Sequence, residues 1–131
     1  MAGLAEGSPD RTAGVAAQVK DRLDALRRRI SEAGGDPTGV TIVGVTKTFG
    51  PEVVRAAVAA GLRDLGESYA GELLGKAAAA AAEGLAPRWH FIGAIQRNKV
   101  RSLAPLVHLW HGVARASEGA EIARWSPGAA V

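Results

Sequence analysis

"TIVGVTKTFGP", residues 41–51, carries an apolar, β-branched run into a lysine, Lys47, with Gly50 and Pro51 close behind. The run Val40–Val45 is short and almost continuously apolar, the pattern of a strand covered on both faces in a parallel sheet. Proline lacks the N–H that the first helical turn leaves unpaired, so Pro51 marks the place where a helix can begin. Strand, turn and helix follow one another directly here. Lys47 falls at the carboxyl end of the strand.

Upstream, Val15, Val19, Leu23, Leu26 and Ile30 recur at steps of four, four, three and four, which is one face of an amphipathic helix. Thr12 is its expected N-cap, and Gly34-Gly35 stops it. Residues 1–11 read as a flexible leader and 12–131 as one domain. Downstream, Val53, Val54, Ala57 and Val58 form the inner face of a second helix closed by Gly61. Residues 63–68 read as a strand, and a helix follows through Leu73, Leu74 and the alanine run to Gly84. A third strand is expected over 88–95, a helix up to Pro105, a fourth strand over 106–114, and a last helix capped by Ser117.

One helix followed by four strand–helix units argues an α/β protein with a parallel sheet and crossover helices. The first strand–helix junction, "TKTFGP", has a single glycine and fits neither the GxGxxG nor the GxxxxGK[ST] nucleotide pattern. That leaves the closed (β/α)8 TIM barrel, which keeps its chemistry at the C-terminal ends of the strands. A whole barrel takes about 200–250 residues. The 131 residues here therefore read as the N-terminal half of one, a C-terminally truncated barrel. Its first and fourth strands would show unpaired edges. Pairing of two copies into a homodimer would close the half barrel. The tail "RWSPGAAV", residues 124–131, does not read as a fifth strand.

Composition narrows the class. Sixteen basic against thirteen acidic side chains is a mild excess, and the cluster Arg27-Arg28-Arg29 has no interleaved aromatics, so no nucleic-acid partner is expected. No run of about 18 apolar residues suggests a membrane span. The start "MAGLAEGSPDRTAG" lacks the apolar core of a secretory signal, and the sequence has no cysteine, so a cytoplasmic location is expected. His108 and His111 are three apart, which places them on opposite faces of a strand, so no metal site is expected.

A lysine partly buried at the mouth of an apolar barrel is pushed toward its free amine. A free amine can attack an aldehyde and hold it as a Schiff base. From the stretch 41–51 alone, an exposed loop lysine is the favoured reading.

Three stretches in order bear on that choice: "GVTKT" at 44–48, "LGESYAGE" at 65–72 and "WHFIGAIQRNK" at 89–99. Together they resemble the pyridoxal phosphate homeostasis proteins, whose barrel is related to the N-terminal domain of alanine racemase. The resemblance runs from about residue 12 to residue 115. It implies a single barrel that carries pyridoxal 5′-phosphate as a Schiff base on Lys47 and serves cofactor homeostasis, more a binding protein than an enzyme. A weak racemase-like activity and a ligand-free fragment are the alternatives. The resemblance also implies cofactor contacts from Ser68, which replaces the family's usual asparagine, and from His90 and Asn98. For His90 a satisfied interior histidine, and for Asn98 a helix cap, are the competing readings. Glu67 and Tyr69 match as cofactor contacts or as a packing pair, and Lys99 as a cation for an anionic ligand. His111-Gly112-Val113-Ala114 departs from the family's His-Ser-Val-Asp.

Overall fold

The computed structural model describes residues 9–131. Residues 1–8, most of the expected leader, lie outside the described residues. Helix α1 covers Pro9–Glu32, so it starts ahead of Thr12, which lies inside it. A 3-10 turn at Pro37–Gly39 leads to β1, Val43–Val45. Then come α2 (Glu52–Ala59), β2 (Asp64–Glu67), α3 (Ala70–Ala82), β3 (Arg88–Phe91), α4 (Arg97–Leu103), β4 (Val107–Trp110) and α5 (Ala116–Trp125). Pro51 stands at the N-cap of α2, as its missing N–H leads one to expect. Gly34, Gly61 and Gly84 have positive φ just after α1, α2 and α3, the left-handed stop that glycine permits. The last helix is capped differently from expectation: the Glu118 carboxylate accepts from the backbone N–H of Ala114 and Arg115. Ser117 is the second residue of the helix rather than its cap.

All four strands are parallel and ordered β1-β2-β3-β4, with Val43 beside Asp64 and Asp64 beside Arg88. Sequential order with a helix after every strand is the arrangement of half a TIM barrel. Side chains alternate across the strands. Leu65, Trp89, Phe91 and Trp110 point toward the helices and meet Leu73, Val100, Leu103 and Ile122 in the core. Val43, Val45, Gly66 and His90 lie on the other, inward face.

That face accounts for the differences from the sequence expectation. Val40 and Val45 are 48% and 50% exposed, so the first strand is shorter than Val40–Val45 and is not covered on both sides. The apolar run reflects a barrel interior whose opposite wall is not among these strands. Strand β3 ends at Phe91, well before Ile95. The tail forms one parallel bridge, Ala130 to Leu109, with the Trp110 N–H donating to the Ala130 carbonyl at 3.1 Å. It therefore touches the β4 edge at a single point.

Candidate functional site

A cavity of about 510 Å³ opens at the C-terminal ends of the strands, lined among others by Lys47, Ser68, Tyr69, Gly93, Gln96 and Lys99. Its floor includes Phe91, Leu103 and Trp110, the same side chains that close the core beneath it. The volume lies in the range of small-molecule sites. Trp110 is 1% exposed and its Nε1–H has no partner, so a buried donor borders the cavity unsatisfied.

Lys47 is exposed and reaches the cavity from the turn after β1. The expected partial burial is not observed, because the side chain stands at the rim rather than beneath it. What the fold supplies is a fixed backbone on both sides of Lys47. The buried ammonium of Lys76, on α3, donates to the Thr46 carbonyl at 2.5 Å, to Glu67 Oε2 at 2.8 Å and to Glu72 Oε2 at 3.2 Å. The Thr46 hydroxyl also donates to Glu67 Oε2. On the far side, the Thr48 N–H donates to Glu72 Oε2 at 2.8 Å, which holds the Glu72 carboxyl below its usual range. Thr48 sits at φ 69°, a left-handed conformation costly for a β-branched residue. The ion network thus grips residues 46 and 48 and leaves the Lys47 side chain free to project. Glu67 and Lys76 are 0% and 3% exposed.

The other walls come from two close backbone approaches. A Cβ on Gly93 would overlap the Ser68 carbonyl, and one on Gly112 would lie 2.5 Å from the Gly93 oxygen. The ends of β2, β3 and β4 are therefore stacked backbone on backbone, with Ser68 and Gly93 side by side on the cavity. Tyr69 is 58% exposed at its lip.

Of the sequence-predicted contacts, Lys47 and Ser68 meet at this cavity. Asn98 is exposed on α4 and is not among the lining residues. His90 is not among them either. It is buried on the inward face, with Nε2 3.0 Å from Asp64 Oδ1 and Nδ1 2.9 Å from His111 Nε2. Arg88 binds both oxygens of Asp64, at 2.7 and 2.8 Å, and this pairing holds the Asp64 carboxyl down to about 2 against the opposing effect of its burial. Sequence reading missed Lys76 and Glu72 altogether. Their one signal was the helical spacing of four, which puts an acid and a base on the same face.

These features define a (β/α)-barrel segment with a lysine-bearing cleft at its strand ends. No protein-family model matches the chain. It is 47% identical over 90 residues to the pyridoxal phosphate homeostasis protein of Pseudomonas aeruginosa, covering 69% of this chain and 38% of that one. The protein of the same name from Aquifex aeolicus is 35% identical over 100 residues, 76% of this chain and 43% of its own length. PipY of Synechococcus elongatus, solved with PLP bound, superposes with a TM-score of 0.71 at 27% identity, covering 82% of this chain and 47% of that one. The chain is thus homologous, over most of its length, to the pyridoxal phosphate homeostasis proteins, and it spans about two fifths of the curated relatives it matches.

Proposed function

We propose that this chain binds pyridoxal 5′-phosphate, with Lys47 as the point of attachment, and serves cofactor homeostasis rather than turnover. The observation that carries this reading is the meeting of Lys47 and Ser68 at one cavity of about 510 Å³, on a chain homologous to proteins named for that cofactor. The residues fit such a guest. A primary amine stands at the rim, Ser68 and Tyr69 share the lining with it, and Trp110, whose Nε1–H has no partner, lies along the same wall.

Pyridoxal phosphate supplies an aldehyde that an amine captures through a carbon–nitrogen double bond, with loss of water. The chain's own part is positional. The Lys76 network fixes the turn that carries Lys47, and the Ser68–Gly93 contact sets the width of the cleft. Lys47 and Lys99 place two cations where an anionic group could be met. His90 and Asn98 contribute through packing and helix structure in this reading, since neither reaches the cavity lining.

The expected result is a visible absorbance band when the cofactor is titrated into the protein, lost in Lys47→Ala. Borohydride reduction and peptide mapping should tag Lys47. Equal spectra for both proteins, or a tag spread over surface lysines, would overturn the assignment. Measuring α-proton exchange of alanine with the loaded protein separates a carrier from a weak racemase: Lys47-dependent exchange would favour the enzyme.

The open edge of β1 and the half-exposed Val45 support the further reading that two copies pair edge to edge and close the half barrel. Light scattering at two concentrations tests it, and a monomer at both would reject it. Among the described residues no helix is long and apolar enough to cross a membrane. A cytoplasmic location belongs to the same reading.

A further inference from the structure

The sequence has three histidines, and the fold sets two of them, His108 and His111, each beside the third, His90, away from the cavity lining. His90 comes from β3. His108 comes from β4, where the pairing slips: Trp89 is beside Val107 but His90 is beside Leu109. His108 is the extra residue of that bulge, and a bulge re-aims the side chain it inserts. Its ring centroid lies 5.5 Å from that of His90, and the centroid of His111, just past the strand, lies 5.2 Å away. Simple alternation along one strand would have separated His108 from His111. The bulge and the strand end defeat it.

Asp64 gives the cluster its polarity. With both oxygens held by Arg88 the carboxylate is ionised and can only accept. Its contact with His90 Nε2 therefore places the proton on Nε2. Nδ1 of His90 is left with a lone pair, and that lone pair points at His111 Nε2, 2.9 Å away. A carboxylate that fixes one nitrogen of an imidazole while the other faces further imidazoles is the outer-shell arrangement of metal-bound histidines. Ligand atoms of Asp64, His90 and His108 lie within 4.8 Å of one another.

We propose that His90, His108 and His111 bind one divalent transition-metal ion of the zinc, nickel or copper kind, with Asp64 orienting His90 from behind. Imidazole suits these ions, and no thiolate competes in a chain without cysteine. The ion takes the place of the proton between His90 and His111, and that proton moves through solvent to His111 Nδ1, so both imidazoles stay neutral and each presents a lone pair. Metal–nitrogen bonds of about 2.0–2.1 Å need the two nitrogens only about 3.3 Å apart in a tetrahedral site, a small opening from the present contact. His108 and His111 are exposed, so the ion can arrive and His108 can turn to meet it. Arg88 spends its charge on Asp64, so the carboxylate acts through His90 rather than as a ligand.

The test uses the tag-free full chain without cofactor, titrated with Co2+ by absorbance and with Zn2+ by calorimetry. One equivalent should bind. His108→Ala and His111→Ala should each weaken binding at least tenfold, and His108→Ala should leave circular dichroism and Tm without metal unchanged, since its side chain is exposed, whereas His111→Ala also removes the partner of His90 Nδ1. Binding as tight in these variants as in the parent protein would overturn the proposal, as would no binding by the parent. Because the cofactor is absent throughout, neither outcome bears on Lys47.

Discussion

Replacing Lys76 with methionine should destabilise the protein by about 3–5 kcal/mol, the usual cost of stripping a buried carboxylate of its only counter-charge. Lys76 and Glu67 are both buried, and the ammonium lies 2.8 Å from Glu67 Oε2. Glu67 Oε1 has no partner at all, so the carboxylate already leans on one oxygen. Without Lys76 it is left with the Thr46 hydroxyl alone, in the core, and must either stay charged or take up a proton. The Thr46 carbonyl loses its donor in the same step. Thermal unfolding should show a fall in Tm of roughly 10–20 °C. The double variant Glu67→Gln, Lys76→Met separates this cause from lost packing. A neutral amide can still accept from Thr46, so the double variant should recover at least half of the loss, a coupling expected of groups in one network. A double variant no better than Lys76→Met would show that methylene packing, not charge, dominates. In Lys76→Met, cofactor trapping at Lys47 should also fall at temperatures where the protein remains folded, because the turn is no longer gripped at residue 46.

The second large effect is expected from Gly93→Ala. The added methyl would overlap the carbonyl, the carbonyl carbon and the Cα of Ser68, all backbone atoms that cannot swing aside. The two strand ends must part, which costs about 1–3 kcal/mol by the general scale of overpacking and widens the cavity between Ser68 and Gly93. Gly75→Ala is the control. Gly75 is exposed in the middle of α3, and a methyl there meets nothing within 4 Å. Alanine should stabilise it by about 0.8–1 kcal/mol through helix propensity. The same substitution thus has opposite signs at two positions, readable from paired denaturant curves. A neutral Gly93→Ala would mean that the loops separate freely and that the cleft has no fixed width.

Much of the fold was legible in the order of residues. The spacing of Val15, Val19, Leu23, Leu26 and Ile30 marks a helix, and α1 lies there, although only Leu23 of the five is buried. Pro51 and Gly61 bracket α2 correctly, and "RDLGES" contains β2, buried at every position. These features are local: a periodicity or a restricted φ acts within a few residues and needs no partner. Strand limits were less legible. Strand β3 stops at Phe91: the Ile92 N–H still bonds the Glu67 carbonyl, but Gly93 runs against the Ser68 backbone, and nothing in "FIGAI" records that neighbour.

What the sequence by itself determined is the alternation of strands and helices, the place of Lys47 after the first strand and the likeness of three short stretches to one family. Only the tertiary structure decided that Lys47 stands exposed on a turn held by Lys76 and Glu72, that Ser68 faces the cavity while His90 and Asn98 do not, and that a bulge at His108 and the end of β4 set two histidines beside His90, which Asp64 holds. The physical reason is that local pattern fixes which way a side chain leaves its own backbone. Which atoms it then meets depends on pairing register and on contacts between residues far apart in the chain, and a one-residue slip in β4 is enough to change it.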